Sequence, residues 1–382
     1  MKKLFLINFL LAVSTAIGMT LLPIVVTESL GISYFILGII EGTTEFSSNL
    51  IRLINGNLFD RIKNKKSLFV VSVGIAFFSK LLIFITLNKY SILISKILER
   101  IANGAFASPR DAYITTNAKH KGLALGISSS VKTFGCVVGT FLVSLSTVFL
   151  GTITDNVFLL ISISCFLTFV ALIVSWNIKT SIKAKREVFN FQKIKYLLIN
   201  LFPIYCISFV FFLARFNDSV LMMFLKDQGF PEWFYLSTIS FFNVSMLIAS
   251  PALGILIDKN YKNTVLFTTI ISLILFNVVF YNINLFPWMF ACLGLVFWGV
   301  QRTGAQIIFS FLVTQKITKE LNGTSIGLLA IINAFGNLIS ASISGYFIQN
   351  SFFHVFIGTG LIASLALIIT TIYITKTPKI IT

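Results

Sequence analysis

The sequence predicts an all-α membrane protein with twelve transmembrane helices in two pseudo-symmetric six-helix halves. Three observations lead there. Of 382 residues, 56% are hydrophobic and only 11% charged, well below the quarter or so typical of a soluble domain. The apolar residues fall in successive runs of roughly 20 or more, the length that crosses a bilayer as a helix, without the short alternating segments of a membrane barrel. Positive charge concentrates on alternate connections, with twenty Lys and Arg on one side against Lys89 and Lys226 on the other. That bias places both termini in the cytoplasm.

The first span centres near Val13. Lys2, Lys3 and LFLINFLLAVSTAIG have the layout of a signal peptide, but the apolar run continues to Val26, so an uncleaved helix is expected. The second centres near Asn49 within EGTTEFSSNLIRLINGNLFDRIKNKK. At about 100° per residue, Glu41, Glu45, Ser48, Arg52 and Gly56 share one stripe, so the charges line a face rather than interrupt the helix. The third, near Ala76, carries Lys80. The fourth, near Glu99, places Lys96, Glu99, Arg100, Asn103 and Arg110 on one broad face. The fifth, near Gly135, carries Lys132 beside Ser128 and Ser129, and the sixth centres near Cys165. A polar, basic segment at 177–195 then separates an N-terminal half, 1–176, from a C-terminal half, 196–382. The remaining spans centre near Val210, with Arg215 and Asp218, then Ser245, Leu273, Phe297, with Arg302 and Gln306, Asn333 and Leu365. The eleventh presents Asn333, Asn337, Ser340 and Ser344 as a neutral polar stripe. Charges interrupt three of these runs, so a hydropathy scan should undercount them.

Several function classes fall away. The net charge of +17 is mostly topology signal at the membrane ends, and no nucleic-acid partner is expected. No GxxxxGK[ST] stretch and no loop large enough for a nucleotide-binding domain is present. Cys136, Cys165, Cys206 and Cys292 all fall inside spans without a CxxC pair, and His120 and His354 belong to no ligand cluster, so neither metal nor cofactor is expected. No HExxH and no Ser, His and Asp at matched depth suggest an enzyme.

An internal repeat carries more information. GNLFDRIKNKK from Gly56 and GILIDKNYKN from Gly254 each follow the second span of a half, at an offset of 198 residues. Each sets Gly four residues before Asp60 or Asp258, then Arg61 or Lys259, then a basic turn. Physically, Gly permits close helix approach while the acid and its neighbouring base clamp helix ends at the membrane surface. This G-x-x-x-D-[RK] pattern resembles the signature loop of the major facilitator superfamily, and the likeness extends over the whole chain. ERIANGAFASPRDAYI from Glu99 and GLALGISSSVKTFGCVVGT are similar to the fourth and fifth spans of a bacterial branch. Thr140 follows Gly139 where many exporters of the superfamily carry proline. The resemblance implies a monomeric multi-pass transporter of the bacterial cytoplasmic membrane, working by alternating access around a central cavity.

Intramembrane charge then nominates the site. Eight bases stand against five acids within the spans, which suits a small anionic or zwitterionic solute. Arg100, Lys132, Arg302, Gln306, Asn333 and Asn337 are candidate solute ligands, and Glu41, Glu45 and Asp218 candidate carriers of a coupling proton. Gly56, Asp60, Arg61, Gly254, Asp258, Arg110 and Asp111 are expected in gating or structural roles. Permanent pairing of Glu41 and Glu45 with Lys80 or Lys96 is the structural alternative, and interhelical bonding that for Asn333 and Asn337. An exporter of cationic compounds and a non-transporting membrane sensor remain alternatives.

Overall fold

The computed structural model describes residues 1–29, 31–61, 65–117, 121–178, 191–317, 322–350 and 352–376. Helix is the regular structure throughout them. The first bundle comprises α1 (Lys2–Ile24), prolonged by a π-helical turn at Val25–Ser29, α2 (Tyr34–Arg61), α3 (Lys65–Ile85), α4 (Lys89–Asn117), α5 (Lys121–Phe149) and α6 (Ile153–Trp176). The second comprises α7 (Phe191–Asn200), α8 (Phe202–Leu213), α9 (Asp218–Asp227), α10 (Glu232–Asp258), α11 (Lys262–Tyr281), α12 (Pro287–Gln315), α13 (Asn322–Asn350) and α14 (Phe352–Lys376).

Among the described residues, nine helical stretches are long and apolar enough to cross a membrane. α2, α4 and α12 have spanning length, 28, 29 and 29 residues, but fall outside that set. α2 and α4 carry several interior charges and α12 the adjacent Gln301 and Arg302, so hydropathy alone undercounts the spans as expected. In hydrocarbon every backbone group needs an internal partner, which is why an apolar chain of this kind is helical. α1 packs on α5 and α6, α3 on α4 and α6, and α2 on α4; in the second bundle α12 packs on α10 and α11, and α14 on α8 and α11. The bundles meet chiefly along α2 with α13 and α5 with α10.

The α2–α13 seam is close enough that backbone touches backbone. A Cβ at Gly38 would collide with the Ala341 carbonyl, and one at Gly345 with the Tyr34 carbonyl. With no lipid-excluded apolar drive between helices, contact of this intimacy depends on small residues.

The seventh span departs from expectation. Instead of one helix, α8 ends at Leu213, the chain runs irregularly through Ala214–Asn217, and α9 begins at Asp218. The cause is local: the Asn217 side chain accepts the Ser219 amide at 2.8 Å, an N-cap that starts a new helix, with Asp218 in its first turn. The Ala214 and Arg215 amides still reach Val210 and Phe212, and Ser340 Oγ donates to the Arg215 carbonyl, so the break is satisfied inside protein.

The basic central segment also differs. Its last residues, from Phe191, belong to α7, while 179–190 lie outside the described residues. The repeated signature starts within helices rather than loops. Gly56, Asp60 and Arg61 occupy the last turns of α2, and their side chains lie outside the described residues, as do residues 62–64. Gly254 sits in α10 with open space where a Cβ would be, so the close approach expected there is absent. Asp258 is exposed as the last residue of α10. The turn that follows is a Schellman-type end: Asn260 has φ of 65°, its amide reaches the Ile257 carbonyl, and the Tyr261 amide reaches that of Leu256.

Candidate functional site

A cavity of about 350 Å³ lies between the bundles. The first bundle lines it with α1 (Asn8 to Met19), α2 (Glu45 to Arg52), α4 (Arg100 to Arg110) and α5 (Ser129 to Cys136); the second with Asp218, α10 (Ile239 to Met246), Arg302 and Gln306. Its charged lining is Arg52, Arg100, Arg110, Lys132 and Arg302 against Glu45 and Asp218. The lining comes from helix faces that are polar because they never meet lipid.

The cavity is closed at one end. There Lys226 pairs with Glu28, Tyr34 Oη donates to Asp227 at 2.9 Å, the Ile153 amide donates to Glu232 at 3.1 Å, and Ser144 Oγ donates to the Trp233 carbonyl at 2.6 Å. Thr140 and Ser240 bond across the α5–α10 contact just inside. With them, the Glu41–Ser219 and Glu45–Asn337 hydrogen bonds join the bundles at mid-depth. The cavity lining extends from mid-depth toward the end that carries Lys2 and Lys376, through Asn8, Arg52 and Arg110.

Most of the buried charge is already matched. Glu41, 2% exposed, pairs with Lys96, stands 3.6 Å from Arg100 and accepts from Ser219 Oγ at 2.6 Å. Lys80 and Glu99 pair at 2.7 Å inside the first bundle, away from the cavity. Asp218 pairs with Arg302 and accepts from Trp298 Nε1 at 3.1 Å. Asp111 takes Arg52 at 3.0 Å and Arg110 at 2.8 Å, while Arg110 Nη1 reaches Asn8 at 2.8 Å. Arg215, buried at the helix break, lays its guanidinium over Phe212 and Trp298, 4.9 and 5.4 Å from the ring centroids.

Two lining charges lack an ion-pair partner within 4 Å among the described residues. Lys132 is exposed to the cavity, one helical turn from Cys136. Glu45, in the cavity lining, accepts from Asn337 Nδ2 at 3.0 Å through Oε1.

The structure thus brings Arg100, Lys132, Arg302, Gln306, Glu45, Asp218 and Arg110 to one cavity. Glu41, Asp111 and Asn337 stand behind the wall, each bonded to a lining residue. Asn333 departs: it accepts from Ser208 at 2.5 Å and bonds α13 to α8. Sequence reasoning did not nominate Asn8, Asn103, Asn243 or Ser219. Asn103 shares a helix face with Arg100, a signal that was present; Ser219 had none, because the cap that aims it is invisible in hydropathy.

Comparison with known proteins gives one picture. The profile of the Major Facilitator Superfamily matches residues 4–341. An uncharacterized MFS-type transporter of Methanocaldococcus jannaschii is 23% identical over 356 residues, 89% of this chain and 86% of that protein. A crystal structure of a POT family transporter in complex with 5-aminolevulinic acid superposes with a TM-score of 0.82 at 11% identity, covering 100% of this chain and 96% of the other. The nucleoside transporter NupG superposes with a TM-score of 0.76 at 14% identity, covering 98% of both chains. At such identities the two structures speak for the fold alone.

Proposed function

The chain belongs to the Major Facilitator Superfamily, and from that premise we propose that it is a secondary transporter that carries a small anionic or zwitterionic solute through the cavity, coupled to protons. Twelve spans in two halves, 1–176 and 196–382, rock about that cavity in a monomer. The charge bias along the sequence supports a cytoplasmic position for both termini, which makes the state described above inward-facing in the cytoplasmic membrane.

The observation that carries the reading is Lys132: a cavity-exposed cation with no carboxylate partner among the described residues, in a lining of five bases and two acids. A solute carboxylate or phosphate supplies the missing partner. Arg100 supports the same reading, since its 3.6 Å contact with Glu41 is long enough for an anion to compete. An anion that draws Arg302 away leaves Asp218 without its counter-charge, and a proton supplies it in place of the guanidinium. That exchange couples solute to proton. The SPRDA-like stretch contributes Arg110 and Asp111, a clasp at the open mouth.

The test is flux into proteoliposomes under an imposed pH gradient, with organic anions as solutes. Lys132→Ala is expected to lower apparent affinity roughly 10- to 100-fold, the effect of one lost charge-assisted hydrogen bond. Unchanged affinity in that variant removes the anion site. Glu45, a lining carboxylate with no cation partner within 4 Å among the described residues, favours a second reading as an exporter of cations. Uptake of lipophilic cations that Glu45→Gln abolishes and Lys132→Ala spares would select it.

A further inference from the structure

One cation and one carboxylate of the lining stand outside every ion pair among the described residues, and we infer that the solute is a zwitterion whose acid group meets Lys132 and whose ammonium meets Glu45. This rests on the transport reading above and narrows it. The reasoning is one of elimination. Arg52 and Arg110 share Asp111, Arg100 and Lys96 share Glu41, and Arg302 holds Asp218. Each of those bases already has a carboxylate beside it before any solute arrives, although the Asp111 and Glu41 sets hold two cations to one acid. Lys132 and Glu45 are the lining charges that remain.

Glu45 is built as a ligand rather than left over. It comes from α2 of the first bundle, while the amide that fixes it, Asn337, comes from α13 of the second. Asn337 binds one oxygen and so orients the other; it is a positioning residue. An ammonium at Oε2 gains a charge-assisted hydrogen bond in a site partly screened from water. A solute with only the acid group satisfies Lys132 and leaves Glu45 desolvated without a counter-charge. A solute with only the amine does the reverse. Either costs affinity, because a site built for two charges penalises the analogue that lacks one. The volume of about 350 Å³ admits a metabolite of this kind.

The experiment is a thermal-shift titration of the purified full-length protein. Its probes are the linear ω-amino acids from glycine to 8-aminooctanoate, each beside the carboxylic acid and the primary amine of the same chain length. One chain length is expected to half-saturate at least tenfold lower than both of its singly charged counterparts. Glu45→Gln should erase the advantage over the acid, and Lys132→Gln the advantage over the amine. Asn337→Ala should weaken the amino acid and leave the acid unchanged. A second readout needs no variant: Cys136 lines the cavity one turn from Lys132, so the same amino acid should slow its alkylation by N-ethylmaleimide, read by peptide mass spectrometry. Acids that bind as tightly as amino acids overturn the zwitterion and leave the anion transporter standing. Amines that bind best overturn both. A ladder that moves neither melting nor Cys136 labelling also overturns the inference, and flux of organic anions then decides the broader reading alone.

Discussion

Replacing Glu41 by alanine is expected to destabilise the protein by about 3–5 kcal/mol, the usual cost of orphaning a buried charge. Glu41 is 2% exposed and Lys96, its partner, 3%. Without the carboxylate, the ammonium stays in a dry interior, Ser219 loses its acceptor, and Arg100 loses its inner anchor. The instability belongs to the stranded cation rather than to the missing acid. Lys96→Met in the same chain should therefore restore more than half of the loss, because an apolar side chain of similar volume suits that position. A double-mutant cycle on melting of the detergent-solubilised protein measures the coupling. Additive effects, within about 0.5 kcal/mol, would show that the pair does not act as one unit.

The second large effect concerns the sealed end. Gly38→Val sets three heavy atoms where the Ala341 backbone already stands. Overpacking of this kind costs about 1–3 kcal/mol, and here it falls on one conformation only, since α2 and α13 belong to different bundles. The equilibrium between the two openings should move roughly 5- to 150-fold away from the state described. Spin labels at Leu150 and Leu285, both exposed near the sealed end and on different bundles, report it. Their distance distribution should lengthen in the Gly38→Val protein. An unchanged distribution, with the protein still folded, would show that the seam is not what holds this end shut.

Much of the fold was legible because hydropathy and charge bias are sums over many residues, insensitive to any one. The helices with interior charge were legible too, since the stripe from Glu41 to Arg52 has helical period. What hydropathy could not show was the break at Ala214–Asn217. No Gly or Pro marks it; one Asn cap does, and an Asn inside an apolar run reads equally as an interhelical donor. The candidate site was legible as a set of residues and illegible as a set of pairs. Lys80 and Lys96 sit on neighbouring helices with similar exposure, yet one reaches Glu99 and the other Glu41. That choice depends on helix rotation, which a stripe does not fix. Asn333 and Asn337 are four residues apart on one helix; the first bonds α8 within its own bundle and the second reaches Glu45 across the seam. Gly254 shows the converse error, since a glycine within a repeat need not make a close contact.

The balance of charge around the cavity has an electrical consequence. With their buried partners counted, the lining holds six cations, Arg52, Lys96, Arg100, Arg110, Lys132 and Arg302, and four carboxylates, Glu41, Glu45, Asp111 and Asp218. Because the far end is sealed, the membrane voltage drops across that seal, and the cavity shares the potential of the side it faces. Each uncompensated charge is then worth about 2.3 kcal/mol per 100 mV. On the proposed orientation, a voltage negative inside holds the empty carrier with its cavity toward the cytoplasm. A solute of net charge −1 halves that hold, and a zwitterion leaves it untouched. The voltage dependence of the loaded and empty return steps therefore carries the net charge of the solute.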